Sequence, residues 1–133
     1  MIVAERFANR LPAFDIAGDG TLSNRRVWAV LGTRVPDGIC LDADGAIWSS
    51  SLHDNKPVCI RVREGGQVLQ RLELDGSCFA CMLGGEERQT LFMMVADWHM
   101  AESIDDNLER LLNGPRTGQV LTASALAPGV GWP

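Results

Sequence analysis

Asp37 stands between Pro36 and Gly38. A carboxylate so placed can cap a bend whose φ the proline presets, take a proton, or ligate a hard cation. On the residues alone, the turn reading is the stronger one. Cys78 and Cys81 have the spacing of a metal-binding couple, and Cys40, Cys59, His53 and His99 are further donors. Structural zinc sites usually join two such close couples, and the sequence holds one, so buried thiols are expected ahead of metal ligands. Asp42-Ala43-Asp44-Gly45 begins like a calcium loop but lacks the glutamate at its twelfth position, and reads as a hairpin turn. Ser49-Ser50-Ser51, with His53, Asp54 and Asn55, bring hydroxyl, imidazole and carboxylate close in sequence. A catalytic triad is defined by geometry rather than proximity, so the stretch reads as a polar loop.

The elements that must position these groups are short strands. Asp19-Gly20, Asp44-Gly45 and Gly65-Gly66 separate alternating runs and supply the positive φ that tight hairpins need. Gln67–Leu74 places Val68, Leu72 and Leu74 on one side and Gln67, Arg71 and Glu73 on the other, the period of a half-buried strand. A longer rhythm overlies these hairpins. Ile2-Val3-Ala4, Ile47-Trp48-Ser49 and Phe92-Met93-Met94 start units 45 residues apart. Each start leads to a polar loop (Arg6–Arg10, His53–Lys56, Trp98–Gly118) and then a second run (Leu11–Ile16, Val58–Val62, Gln119–Ala123). Val35–Leu41 and Ser77–Leu83 are strands that enter the next unit. A repeat of roughly 40–50 residues built from about four antiparallel strands is the mark of a propeller blade. The strand signals number about three, four and three in the successive units.

One stretch departs from the pattern. Ala101–Gly114 has Ile104, Leu108, Leu111 and Leu112 at helical spacing, Ser103 as a cap and Asn113-Gly114-Pro115 as a stop. It predicts a short amphipathic helix that packs over one end of the sheets.

Composition excludes several classes of function. The 133 residues carry a net charge of -5, which disfavours nucleic acid and anionic membranes as partners. No run of eighteen apolar residues is present to span a membrane. The amino terminus lacks the basic and apolar regions of a signal peptide, so a cytoplasmic setting with reduced cysteines is expected.

The block Val35-Pro-Asp-Gly-Ile-Cys-Leu-Asp-Ala-Asp-Gly-Ala-Ile-Trp48 resembles the Pro-Asp-Gly-(Met/Ile)-Cys-(Ile/Leu)-Asp-x-x-Gly-x-(Leu/Ile)-Trp motif of the senescence marker protein (regucalcin), gluconolactonase and luciferin-regenerating enzyme family. Phe14-Asp15-Ile16, Leu22–Arg26, Cys81–Gly85 and Thr90–Phe92 agree in order and spacing, and Thr117–Val120 and Pro128–Pro133 are similar to the last strand and tail of bacterial members. Asp97-Trp98-His99, similar to an Asp-Trp of those members, is expected to line the mouth of the central cavity. Ser49–Ser51 depart from the Val-Ala that commonly follows the tryptophan. The resemblance implies an all-β fold, residues 1–133 forming a single partial domain of about three blades from the carboxy-terminal half of a six-bladed β-propeller, with the 101–114 helix inserted. It further implies hydrolysis of a sugar lactone at one divalent cation (calcium, zinc, magnesium or manganese), held by a Glu, two Asn and the Asp of Pro-Asp-Gly. Asp37 alone has a counterpart here, as metal ligand and as acceptor of a proton from water; the others would lie upstream of Met1. Metal binding is therefore expected to be weak or absent in this chain. The partners so implied are a small lactone and, through open sheet edges, a second copy of the chain; the alternative is a non-catalytic binding or structural module.

Overall fold

The computed structural model describes residues 1–53, 56–99 and 102–131. Three antiparallel sheets follow one another along the chain. The first pairs β1 (Arg10–Ile16) with β2 (Leu22–Val30); the second has the order β3 (Val35–Leu41), β4 (Ile47–His53), β5 (Lys56–Val62), β6 (Val68–Glu73); the third has the order β7 (Ser77–Gly84), β8 (Thr90–Ala96), β9 (Gln119–Ser124). The predicted dipeptides make their turns: Gly20, Gly45, Gly65 and Gly66 all have φ between 75° and 92°.

Alternation of side chains decides how the sheets stack. On β5, Val58, Ile60 and Val62 enter a core with Leu11, Trp28, Ala29 and Leu31 of the first unit. The intervening Cys59 enters a second core with Trp48, Cys40, Cys78, Cys81, Leu83, Leu91 and Met93. The middle sheet is thus covered on both faces, which is why β5 is buried without a break from Val58 to Val62, the paired Arg61 included, where β6 alternates. The β5–β6 turn ties the first two sheets together. Gly65 N–H donates to the Trp28 carbonyl at 2.8 Å, and a Cβ on Gly66 would come within 2.3 Å of the Val30 oxygen. At the far end, the tail bonds back to the middle sheet through Ala43 N–H to Pro128 O (2.8 Å) and Val130 N–H to Leu41 O (3.1 Å).

Four expectations need correction. The first unit has two full strands, and Ile2-Val3-Ala4 is held to β1 by isolated bridges. Val3 N–H reaches Pro12 O at 3.0 Å, but Pro12 has no N–H to return and the register shifts on either side of Pro12-Ala13. Ser49–Ser51 are buried strand residues of β4, not a loop; their hydroxyls bond backbone carbonyls, so they need no water. Asp54 and Asn55 lie outside the described residues. Asp37 is not in a turn, as the next subsection describes. The helix α1 (Ile104–Asn113) forms with Ser103 as its cap, whose Oγ accepts from Asp106 N–H at 3.1 Å. Most of its apolar stripe, however, stays uncovered: Ile104, Leu108 and Leu112 are 67%, 44% and 72% exposed, and Leu111 alone of the four is half-buried. Buried Asn107 anchors it instead, accepting from His99 N–H at 2.7 Å and donating to the carbonyls of His99 (2.9 Å) and Ser103 (3.0 Å). The helix's predicted first residue, Ala101, and the tail's Trp132 and Pro133 lie outside the described residues.

Candidate functional site

Pro36, Asp37 and Gly38 belong to β3, at a break in its register. Pro36 pairs with Ser51 and Ile39 with Ser49, so Asp37 and Gly38 together oppose Ser50. This is a β-bulge, a device that bends a strand and re-aims a side chain. Proline at the bulge removes a ladder donor where the ladder is already broken. Ser50 Oγ closes the gap by donating to Gly38 O at 3.1 Å. Gly38 serves close approach, not a positive φ: a Cβ there would stand 2.5 Å from the Ala80 Cα of β7 and 2.9 Å from Phe79 O. The tripeptide thus bulges β3 while letting two sheets touch, and it leaves the Asp37 carboxylate about one-third exposed.

That carboxylate lines a cavity of about 140 Å³ with Arg6, Val35, Ser51, Leu52, Ser77, Cys78, Phe79 and Trp98. All three units contribute. Arg6, Leu52 and Trp98 lie 46 residues apart in succession, at the same place in each unit, just where its first strand meets its loop. The Trp98 ring stands edge-on to Phe79, centroids 5.8 Å apart and planes at 74°. Ser77 Oγ donates to Trp98 O at 3.4 Å, and Ser51 Oγ to Leu52 O at 3.3 Å.

Arg6 is the charged group that sequence reasoning missed. A single 3-10 turn, Arg6–Ala8, follows the Glu5–Arg10 bridge and carries the guanidinium to Asp37, where its Nη1 donates to Oδ2. Glu5 accepts from Arg10 Nε at 2.5 Å and from Arg25 Nη2 at 2.7 Å. Those two donors, Arg25 foremost, hold the Glu5 carboxyl below its ordinary range. The signal that could have found Arg6 was its repeat position, shared with Leu52 and Trp98.

The residues around Asp37 do not make a home for a divalent ion. Hard cations of the calcium type draw on six to eight oxygen ligands. Here one carboxylate stands with two hydroxyls, and a guanidinium already shares it. Among the described residues, no group of three or more His, Cys, Asp or Glu side chains is placed to hold a metal ion.

Five residues on, at the turn that follows β3, the same pairing recurs in another setting. Asp42 accepts Arg61 Nε at 2.6 Å and the backbone N–H groups of Asp44 (3.0 Å) and Ala46 (2.9 Å), with both side chains almost wholly buried. Arg61 also reaches Asp44 at 2.7 Å, and these carboxylates, Asp42 first, raise its pKa. The expected hairpin is therefore built around an ion pair.

All four cysteines are free and buried, and they gather in one core, Cys40 and Cys59 joining the Cys78–Cys81 couple from neighbouring strands. Hydrogen bonding to Cys81 and burial push the Cys40 thiol up; Cys78 and burial do the same for Cys59. For Cys81 a bond with Cys40 lowers the pKa, but Cys59 and burial outweigh it. Thiols so raised stay protonated and inert. His99 lies outside this cluster and on the surface, 2.9 Å from Asp97 and 2.8 Å from Glu102. His53 pairs with Arg71 at 3.2 Å. Among the described residues, no helix is long and apolar enough to cross a membrane.

Comparison with known proteins places this geometry. The model of the SMP-30/Gluconolactonase/LRE-like region matches residues 1–97. A luciferin-regenerating enzyme superposes with a TM-score of 0.72 at 15% identity, covering 98% of this chain and 43% of that one. A calcium-binding protein, regucalcin, from Agrobacterium tumefaciens gives 0.68 at 16% identity, covering 97% and 43%. A gluconolactonase from Xanthomonas campestris is 30% identical over 65% of this chain and 27% of its own, with a TM-score of 0.52. The chain thus spans less than half the length of each of these solved structures.

Proposed function

Since the chain belongs to the SMP-30/gluconolactonase/LRE-like family, we propose that it serves lactonase-like hydrolysis, with a small cyclic ester of the sugar-lactone class bound at the Asp37 pocket. The observation that carries this reading is the bulge in β3, which turns the carboxylate of Pro36-Asp37-Gly38 into a cavity lined by all three units. In the reaction, water adds to the lactone carbonyl and the ring C–O bond breaks. Asp37 takes the proton that water loses and returns it to the departing alkoxide, a general acid–base role worth roughly 10²–10⁴ in rate. Arg6 presents N–H donors beyond the one spent on Asp37, able to hold the carbonyl oxygen as charge develops on it. Ser51, Ser77 and the Trp98–Phe79 pair shape a space suited to a small, hydroxylated ring.

The resemblance assigns a divalent ion to the family's reaction, and a solved regucalcin is described as calcium-binding. The residues of this chain do not reproduce that ligand set, so every step above is given to its own side chains. The six-bladed closure remains part of the proposal: three sheets here are read as three blades, with a small-molecule lactone as partner and a reducing, cytoplasmic setting in keeping with four free thiols. Edge strands such as β9, with Val120 62% exposed, are read as surfaces where a second copy pairs. Sedimentation velocity checks this: a concentration-dependent dimer is expected, lost on Val120→Lys, and a monomer at all concentrations refutes it.

A second reading, a non-catalytic binding module, draws on the same ion pair, because a carboxylate engaged by Arg6 has less freedom to act as a base. Hydrolysis of gluconolactone, followed by acid release, separates the two. Turnover above the spontaneous rate that falls at least about 100-fold in Asp37→Asn supports the hydrolase. Lactone binding with no turnover in either protein supports the module.

A further inference from the structure

The pocket that the proposed function assigns to substrate has one carboxylate, and its counter-charge comes from within the chain. The geometry points to Arg6 as the built-in cation of this pocket, standing in for a free divalent ion on Asp37 and making the site metal-independent. The inference rests on Asp37 being the centre of the site, not on any turnover there.

Three observations carry it. The first is the direct contact, Arg6 Nη1 donating to Asp37 Oδ2. The second is charge balance: the other lining residues, Val35, Ser51, Leu52, Ser77, Cys78, Phe79 and Trp98, bear no formal charge, so Arg6 and Asp37 leave the cavity neutral. A second cation would meet a neutral pocket with a positive group at its wall. The third is how Arg6 is fixed. Glu5, the neighbouring acid, is taken up by Arg10 and Arg25, and the backbone between Glu5 and Arg10 is pinned by a bond of 3.0 Å. Arg6 is thereby directed to the one carboxylate that the pocket offers.

A guanidinium differs from a metal in two ways that matter here. It is part of the chain, so no chelator or dilution empties the position. It presents donors in a planar fork, which suits a neutral ligand offering a carbonyl or hydroxyl oxygen and gives no vacant coordination position to a bound water. The class of ligand that follows is a small uncharged polyol or ester.

Terbium luminescence tests this without substrate, because Trp98 lines the cavity and can sensitise an ion bound beside Asp37. The full chain, Arg6→Gln, Asp37→Asn and the double variant are titrated with terbium, and calcium is used to compete. Arg6→Gln should bind at least about tenfold more tightly than the unaltered chain, since a repelling charge at contact distance is removed. The gain should vanish in the double variant, and Trp98→Phe should dim its signal. Asp37→Asn alone should bind no more weakly than the unaltered chain. Overturning results are terbium binding by the unaltered chain as tight as by Arg6→Gln, or a loss of that binding in Asp37→Asn alone. The second comparison holds even if Arg6→Gln folds poorly. Absence of lactone turnover would count against the proposed reaction and leave this inference standing.

Discussion

Two Asp–Arg pairs lie five residues apart along β3 and its turn, and they do opposite things. Asp42 and Arg61 are 0% and 6% exposed at the side chain, whereas Asp37 and Arg6 are 36% and 39% exposed. Asp42 also accepts two backbone N–H groups, so its lone pairs are used and its position is over-determined. Asp37 has one side-chain partner at the wall of a cavity, and a ligand can share it. Burial and saturation make the first pair architectural; exposure and a spare oxygen make the second available for chemistry. Residue type alone does not distinguish them.

The largest effect should come from breaking the buried pair. Asp42→Ala leaves Arg61 charged in the interior with only exposed Asp44 to answer it, and should cost about 3–5 kcal/mol in urea unfolding. A loss below about 1 kcal/mol would contradict the architectural role. Asp44→Ala, which removes the partner that is 66% exposed, should cost far less.

Next in size is Gly38→Ala. The added methyl would overlap the Ala80 backbone at 2.5 Å, which cannot yield as a flexible side chain would. Overpacking of this kind costs about 1–3 kcal/mol. It should also shift β3 from β7 and change the fluorescence of Trp98 at the adjoining pocket. An unchanged melting curve and spectrum would show that the sheets approach less closely than described.

For the exposed pair, stability and function should separate. Asp37→Asn should change unfolding free energy by no more than about 1 kcal/mol, as exposed pairs do, while abolishing the proposed hydrolysis. A large loss of stability would place Asp37 with Asp42 as a structural residue.

These contrasts mark where the sequence was legible. Hairpins were readable because Gly20, Gly45 and Gly65-Gly66 occupy φ values that few other residues tolerate. Strand cores were readable from alternation, as on β6. The bulge at Asp37 was not: Pro-Asp-Gly is also turn chemistry, and the choice was made by Ala80 and Ser50, distant in sequence or across the ladder. Asn107 as the helix's anchor ran against the apolar pattern of Ile104, Leu108 and Leu112, because the loop backbone at His99 needed a polar partner more than the sheets needed cover. Arg6 was hidden in a polar loop, and only its 46-residue kinship with Leu52 and Trp98 marked it.

The smallest expected effect concerns how Arg6 is kept on Asp37. Glu5 has its pKa lowered from 4.5, first by the hydrogen bond from Arg25 and then by that from Arg10. A carboxylate depressed in the folded state contributes stability that is complete above its unfolded pKa and is lost as pH falls through the folded value. The contribution should therefore fade from about pH 4.5 downward. Glu102, lowered by Arg110 and His99 beside the helix, should fade over the same window but act on the helix end. In Glu5→Gln the decline of melting temperature below that pH should be shallower than in the unaltered chain, with the curves parallel at neutral pH. Arg10 and Arg25, freed of their acid, would then compete with Arg6 for Asp37, so terbium affinity at neutral pH should stay as low as before, or fall. If Glu5→Gln instead melts with an unchanged acid slope, the ion pairs of Glu5 add nothing to acid stability; if it gains terbium binding, Asp37 has lost its cation, and neither Arg10 nor Arg25 takes the place of Arg6.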